Sequence, residues 1–376
     1  MECRRIQLEQ SINGLNVTDV PLVQLCGTSF EPAGFADDPG IYYFIPWMTK
    51  HLGIPLDPAI DLFLGTLLLL GALISGACLF FTFKTWACRA ISIVGSLLLT
   101  GMAARCSDLY VSSYFAVAAT VPFFIVWNQI RSPFHLKIGL TIAWSGLIIG
   151  YCNQIRCQSG TGALLFLLSW IALNGNFSKK EKLSSAVLLS VFVLLPYLHF
   201  HRLEFNRDSF LTKKNPSHNS IAVTHPKWHN IYIGFGYLKN KYGIEYNDTI
   251  SSNKALSISP NVQFCSAEYE SILREQCWRL LRTDCVFVLK TLLCKALVIL
   301  LKLALFANFG LLFWFYVRAP LRFTAPFLIA TLFYSLPGLL TMPYTAYVLG
   351  ALSLSTLFGV TLIGLRLEKY QKYEAA

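Results

Sequence analysis

Charged residues are scarce in this chain: only 14% of its 376 residues are Asp, Glu, Lys or Arg, whereas a soluble protein has about a quarter. Hydrophobic residues make up 55% of the sequence. This balance excludes an ordinary soluble protein and predicts an integral membrane protein with some water-facing material. The net charge of +11 would suggest nucleic acid in a soluble protein. Here Lys- and Arg-rich cytoplasmic loops explain it, so we expect no nucleic-acid partner.

Several chemical signatures are missing as well. No Cys-x-x-Cys or Cys/His spacing suggests zinc. There is no phosphate-binding loop and no Ser/His/Asp hydrolase motif, which disfavours enzymes that use ATP or nucleotide sugars. The 11 cysteines form no disulfide framework, although Cys265, Cys277 and Cys285 share one polar segment and leave a single disulfide open. Residues 1 to 40 contain no apolar core long enough for a signal peptide.

Long apolar runs indicate about nine transmembrane helices. They are Ile60–Phe83, Ala87–Ala104, Leu109–Trp127, Leu136–Tyr151, Thr161–Leu173, Ser185–Phe200, Thr291–Val317, Phe323–Leu340 and Tyr344–Leu365. The polar segment His201–Lys290 separates the sixth run from the seventh and is expected to form one small external domain. Its end, residues 266–285, has apolar residues at helical spacing and predicts an amphipathic helix that leads into the seventh run: Tyr269, Ile272, Leu273, Cys277, Leu280 and Leu281. The predicted fold class is therefore an all-α polytopic membrane protein.

Basic residues are concentrated in alternate predicted loops. One set of loops carries Lys84, Arg89, Arg131, Lys137, Lys179, Lys180, Lys182, Arg318, Arg322, Arg366, Lys369 and Lys372. The other short loops carry only Arg105 and Arg156. The positive-inside rule makes the first set cytoplasmic, so residues 1–59 and 201–290 are external and the C-terminus is cytoplasmic. Because an external N-terminus needs a reason to cross the membrane, we expect a further span before residue 1.

The stretch GFADDPGIYYFIPW, residues 34 to 47, places two acids directly before an aromatic, apolar run. Asp38 followed by Pro39 is typical of a helix N-cap with Pro in the first turn. The predicted helix lies in the membrane interface; its apolar face is Ile41, Phe44, Ile45, Met48 and Leu52, and Tyr42, Tyr43 and Trp47 suit the headgroup region.

Two interpretations of the acidic pair are open. In the first, Asp38 is a helix cap and Asp37 is a solvated loop residue. In the second, Asp37 is a general base that deprotonates a hydroxyl acceptor, and Asp38 assists it.

The stretch THPKWHNIYIGFGYLKNKYGIEYND, residues 224 to 248, crowds aromatic and hydrogen-bonding side chains together. Such side chains are suited to binding a sugar or an acceptor, and the candidates are His225, Trp228, His229, Tyr232, Glu245 and Asp248. The alternative is that the aromatic residues form the core of the small domain. His225 and His229 are four residues apart, but Pro226 lies between them and no third metal ligand is evident. We therefore predict no metal ligands and no certain cofactor, with a divalent cation left open.

The acidic pair, the interfacial helix, the many short spans and the large late external loop resemble the type C glycosyltransferase superfamily. That family includes protein O-mannosyltransferases and the lipid A aminoarabinose transferase. The resemblance implies sugar transfer from a polyprenyl-phosphate carrier on the external face. It also implies that a residue of the Asp37–Asp38 pair is the catalytic acid, and that transfer is an inverting single displacement. The 224–248 stretch is similar to segments of bacterial membrane proteins of this superfamily.

A polyprenyl phosphate requires cations at the external interface. Arg105 and Arg156 are the basic residues of the short external loops, and the second lies in CNQIRCQSGTG, which also offers Ser159. Lys295, near the outer end of the seventh span, is a further candidate because charged residues inside a span usually face protein or water. The alternative for both arginines is that they extend to lipid headgroups without a substrate role.

The sequence therefore predicts four regions: an external N-terminal loop with the interfacial helix (1–59), a six-span module (60–200), an external domain (201–290) and a three-span module (291–376). The preferred function is transfer of a sugar from a polyprenyl phosphate to a glycan, lipid or protein acceptor, in a bacterial inner membrane. A transporter or lipid flippase, an O-antigen ligase or polymerase, and a scaffold without catalysis are the alternatives.

Overall fold

The computed structural model describes residues 2–34, 37–106, 108–127, 136–175, 177–215, 226–317 and 321–374. Helices account for 79% of the described residues. The protein is an all-α membrane protein with a single two-stranded hairpin in the described part. Three residues from the sequence analysis, His225, Arg131 and Arg318, lie outside the described residues.

The N-terminal region is folded and is more than a loop with one helix. It contains α1 (Glu2–Thr18), β1 (Val23–Cys26), β2 (Ser29–Pro32) and α2 (Pro39–Leu52). Leu8, Ser11 and Leu15 repeat at helical spacing and are buried, so α1 packs one face against the hairpin and α2. The strands are antiparallel, with Val23 opposite Pro32 and Cys26 opposite Ser29.

Helix α2 begins at Pro39 and has Asp38 in the N-cap position, as predicted. It ends at Leu52, where Gly53 adopts the left-handed conformation with φ of 66°, a common helix end. Ile41 and Ile45 are buried as expected. Leu52 is 56% exposed. The headgroup position expected for Tyr42 is wrong: Tyr42 is buried, with its hydroxyl donating to Gln7 Oε1 at 2.7 Å. Helix α1 contacts Tyr42 through Gln7, whereas Trp47 is 42% exposed.

Seven helices follow before the polar segment. They are α3 (Leu56–Thr82), α4 (Trp86–Ala104), α5 (Val111–Ala118), α6 (Val121–Trp127), α7 (Leu136–Ile155), α8 (Thr161–Leu173) and α9 (Lys179–Lys214). The predicted third span, Leu109–Trp127, is split between α5 and α6. Pro122 explains the break, because proline disfavours helical geometry in the residue before it and lacks a backbone N–H.

Helix α9 continues 14 residues beyond the predicted span end at Phe200 and stops at Lys214. The sequence from His201 to Lys214 contains no glycine or proline, and Asn215 precedes Pro216, so the helix meets its first strong terminator there. The predicted boundary between residues 200 and 201 therefore falls inside α9.

The polar segment contains three short helices and leads into the C-terminal helices. Their bounds are α10 (Lys227–Gly234), α11 (Asp248–Leu256), α12 (Ala267–Thr283), α13 (Cys285–Val317), α14 (Leu321–Leu340) and α15 (Leu349–Glu374). The amphipathic helix expected at residues 266–285 is α12: Ser266 caps it by accepting from the Tyr269 N–H, and Tyr269, Leu273, Cys277 and Leu280 are buried. Leu281, expected on the same face, is 36% exposed. Cys265, Cys277 and Cys285 are free thiols.

Within the described residues, six helices are long and apolar enough to cross a membrane. They are Leu56–Thr82, Trp86–Ala104, Ile138–Ile155, Lys179–Lys214, Phe323–Leu340 and Ala346–Glu368. Val111–Ile125 and Thr161–Leu173 are shorter apolar helices, and 13 residues span only about 20 Å. The count of nine spans stays a prediction.

Helices α7 and α9 pack closely through two glycines spaced four apart, Gly146 and Gly150. A Cβ atom on Gly150 would lie 2.6 Å from the Val193 carbonyl oxygen and 2.8 Å from Pro196 Cγ. Small residues at this spacing let membrane helices approach each other closely. The contact holds α7 in place, and the C-terminal end of α7 carries the loop with Arg156.

We expect Gly150→Ala to destabilise the protein by about 1–3 kcal/mol, because the added methyl group overpacks the α7–α9 contact. Thermal unfolding in detergent measures the effect. Gly139→Ala is the matched control, since a Cβ atom there would lie 3.9 Å from Leu188 Cδ2; alanine also favours the helix over glycine. Equal unfolding temperatures for the two variants would show that the contact is not tight.

The loops predicted to share one side of the membrane meet at one end of the helical bundle, here called the loop end. The N-terminal region contacts both the α4–α5 loop and the α7–α8 loop. The α14–α15 loop contacts the α4–α5 loop and the polar segment. At the opposite end, the backbone N–H of Lys84 donates to Glu368, and Cys88 Sγ lies 3.5 Å from the Gly364 oxygen. The grouping of loops thus matches the charge pattern; the compartment that each end faces stays a prediction.

Candidate functional site

The acidic pair lies at the loop end, where the start of α2 contacts the end of α7. Gly40 makes this approach possible, because a Cβ atom there would lie 2.6 Å from the Gln154 carbonyl oxygen. Asp38 occupies the N-cap position of α2, but its side chain makes no capping hydrogen bond. Its Oδ2 instead accepts from the Cys157 backbone N–H at 2.9 Å. The predicted cap therefore has the right position, while its carboxylate joins α2 to the α7–α8 loop.

Asp37 is held by two guanidinium groups. Arg156 Nη1 lies 2.8 Å from Asp37 Oδ1, and Arg4 Nε lies 2.7 Å from Asp37 Oδ2. Arg4 also reaches Asp108, with Nη1 2.9 Å from Oδ1. The side chains of Asp37 and Arg156 are 11% and 12% exposed, so Asp37 is not a solvated loop residue.

Arg156 joins both acids to an aromatic ring. Its Nη1 lies 3.6 Å from Asp38 Oδ2, and its Nη2 donates to the Tyr110 hydroxyl at 2.8 Å. The guanidinium carbon also lies 4.9 Å from the centre of the Tyr110 ring, within the range of a cation–π interaction. These contacts require the planar guanidinium group of arginine with its several N–H donors, which lysine does not have.

The two acids differ in their affinity for a proton. Burial alone would raise the pKa of Asp37, but Arg4 and Arg156 outweigh it and lower the pKa below the ordinary value. Burial raises the pKa of Asp38 to about 7, against the opposing effects of Arg156 and the Cys157 N–H. Asp37 is thus an anion near neutral pH, and Asp38 exchanges its proton there. Of the two carboxylates, Asp38 has the pKa of a general base that works near neutral pH.

Four tyrosines extend from this network towards the polar segment. The Tyr110 and Tyr347 rings meet edge to face with centres 4.9 Å apart, and the Tyr347 and Tyr246 hydroxyls lie 2.8 Å apart. Tyr344 lies beside both, its ring centre 6.0 Å from Tyr347 and 5.9 Å from Tyr246, and it is 51% exposed. Aromatic faces with hydroxyl tips next to a titratable carboxylate are suited to a polar ring such as a sugar.

The predicted phosphate ligands lie in different surroundings. Arg105 is exposed and makes no ion pair with another described residue. Arg156 is engaged as described above. Ser159 is buried, and its hydroxyl accepts from Ser112 and Ser113 at 2.9 and 3.0 Å. Lys295 is fully buried, with Nζ 3.4 Å from the Leu340 carbonyl oxygen. Among these four residues, Arg105 has the freest side chain for binding an anion.

The predicted residues of the polar segment divide between its core and its surface. His229 is 3% exposed; its Nδ1 lies 2.7 Å from the Tyr269 hydroxyl and its Nε2 lies 3.1 Å from Asp248 Oδ1. Tyr232 is buried and Trp228 packs against the same core. Glu245 is exposed. His225 lies outside the described residues. The aromatic residues named by the sequence thus include core positions, and the tyrosine that reaches the acidic pair's network is Tyr246.

Sequence reasoning missed Arg4, Tyr110 and Tyr347 as partners of the site. No local signal marks Arg4, because it lies 33 residues before Asp37 and the polar helix α1 shows no motif. No group of three or more His, Cys, Asp or Glu side chains in the described part of the chain is arranged to hold a metal ion.

Comparisons with protein-family models, with curated proteins and with solved structures return no match for this chain. The likeness to type C glycosyltransferases therefore depends on the residues and the architecture described above.

Proposed function

We propose that this protein is a membrane glycosyltransferase that moves a sugar from a polyprenyl-phosphate donor to a hydroxyl acceptor at the loop end. The observation that carries the proposal is the Asp37–Asp38 pair. It is buried, it is held by Arg156, and it lies next to the tyrosine cluster Tyr110, Tyr246, Tyr344 and Tyr347. The four predicted regions of the chain and the external position of the loop end belong to this proposal.

The proposed roles differ from the sequence-based hypothesis in two respects. Asp38, not Asp37, accepts the proton, and the carrier phosphate is no longer assigned to Arg156, Ser159 or Lys295. The acceptor oxygen attacks the anomeric carbon of the sugar while its proton passes to Asp38. The bond between that carbon and the phosphate oxygen breaks, and its electron pair leaves with the carrier phosphate. Asp37, as a permanent anion, keeps Arg156 and Arg4 in position. Arg105 is the cation proposed to hold the carrier phosphate.

Native mass spectrometry of the protein released gently from membranes, with polyprenyl phosphate added, tests the function. We expect one retained polyprenyl phosphate, and we expect Arg105→Ala to reduce its retention. The exposed Lys241 of the polar segment offers a matched control, Lys241→Ala, which removes one positive charge away from the acidic pair. If only ordinary phospholipid is retained in repeated preparations, the transporter and scaffold interpretations replace the transferase.

A further inference from the structure

A groove of about 610 Å³ runs along one side of α3, between α1, α4 and α5. Its volume is within the range of sites that bind small molecules. It does not include either residue of the acidic pair.

The groove is polar at one end and apolar along the rest of its length. Asp57 and Asp61 on α3 and Arg5 on α1 line the polar end, and Leu64 and Leu68 continue along α3. Eleven residues separate Asp57 from Leu68, which is about 16 Å along a helix. This shape fits an amphiphile with a polar head and a hydrocarbon chain.

The apolar part of the groove is continuous with the lipid-facing side of α3. Leu62, Leu69 and Leu73 on the same helix are 47%, 60% and 58% exposed. Exposed apolar stripes of this kind on an integral membrane protein face hydrocarbon. A chain in the groove therefore enters sideways from the bilayer.

The charges at the polar end select the headgroup. Arg5 is paired with Asp57 at 2.8 Å and with Glu9 at 3.5 Å, and Asp61 is exposed with no ion pair to another described residue. Of the charged side chains that line this end, one is a cation and two are acids, so the lining has a net charge of −1. The carboxylates at this end repel an anionic headgroup. A polyprenyl phosphate is therefore disfavoured here and an ammonium group is favoured.

We propose that the groove binds one membrane phospholipid with an ammonium headgroup, such as phosphatidylethanolamine. The ammonium lies at Asp61 and Asp57, and one acyl chain packs on Leu64 and Leu68. Neither Arg105 nor the acidic pair lines this groove. The proposal does not depend on glycosyl transfer.

The test uses the full chain in detergent with an equimolar mixture of phosphatidylethanolamine and phosphatidylglycerol that carry identical acyl chains. Native mass spectrometry counts the retained lipids. We expect one retained phosphatidylethanolamine, preferred about three- to tenfold, which is the effect of one or two exposed ion pairs. Asp61→Asn should reduce the preference towards equal retention of the two lipids.

Gly65 gives a second variant, because a Cβ atom on this groove residue would meet open space. Gly65→Phe should fill the groove without moving the backbone and should reduce retention of both lipids. Thr66→Phe is the matched control: Thr66 is the next residue on α3, is exposed and does not line the groove. Equal retention of the two lipids by the unmodified protein would overturn the proposal. So would unchanged retention in Gly65→Phe.

Discussion

Asp38→Asn is expected to reduce sugar transfer by about 10²–10⁴-fold, the usual contribution of a positioned general base. The amide keeps an oxygen that can accept from the Cys157 N–H, but it cannot take a proton from the acceptor. Transfer is measured with the carrier found by mass spectrometry, as the rate at saturating and at limiting acceptor. Asp37→Asn separates the roles: it removes an anion that two arginines hold, so it should lower stability along with activity.

The pH dependence of transfer identifies the base. With the pKa of Asp38 raised to about 7 by burial, kcat/KM should rise about tenfold per pH unit below 7 and level off above it. A flat profile between pH 5 and 8, or full activity in Asp38→Asn, would remove Asp38 from the proposed mechanism.

The raised pKa of Asp38 also makes folding stability depend on pH, and measuring that dependence is a control for the activity measurement. The folded protein keeps the Asp38 proton up to about pH 7, whereas the unfolded chain loses it near pH 4. Folding stability from this group therefore falls as the pH rises from about 4 to about 7 and stays constant above. Asp38→Asn should remove that fall and should unfold no earlier than the unmodified protein at pH 8.

Local sequence signals predicted two elements, α2 and α12, at the correct residues. The Asp38–Pro39 pair marks the first residue of α2, and the spacing of Tyr269, Leu273, Cys277 and Leu280 marks the buried face of α12. The hairpin was missed although its turn carries a signal: Gly27, with φ of 62°, sits between the two strands. Glycine in that position is common in short hairpin turns.

The chemical difference between Asp37 and Asp38 could not be read from the sequence. The two residues are adjacent and identical, and their proton affinities depend on Arg4 and Arg156, which lie 33 and 119 residues away. Periodicity reports which face of one element is buried, but it does not report which distant cation that face meets. The charge pattern of the loops placed Arg156 and the acidic pair at the same end of the bundle, but it did not predict that they are in contact.

Arg156→Ala is expected to destabilise the protein by about 3–5 kcal/mol, because removing one partner of a buried ion pair leaves uncompensated charge. Arg156 serves Asp37, Asp38 and Tyr110 together, so three elements lose a shared partner. Unfolding by titration with a denaturing detergent measures the change. Arg105→Ala is the control: its side chain is exposed and unpaired within the described residues, and its loss should change stability by no more than about 0.5 kcal/mol.

A comparison at pH 5 and pH 8 shows how much of the loss comes from the charge of Asp38. At pH 5 Asp38 carries its proton, so only Asp37 misses the guanidinium, and Arg4 still partners it. At pH 8 Asp38 must either ionise without Arg156 or hold its proton against a higher pH, and both cost free energy. The destabilisation by Arg156→Ala should therefore be larger at pH 8. Arg156→Lys keeps the positive charge but loses the planar guanidinium group. Its stability should lie between those of the unmodified protein and Arg156→Ala. Equal losses at both pH values would mean that Arg156 does not stabilise the charge of Asp38.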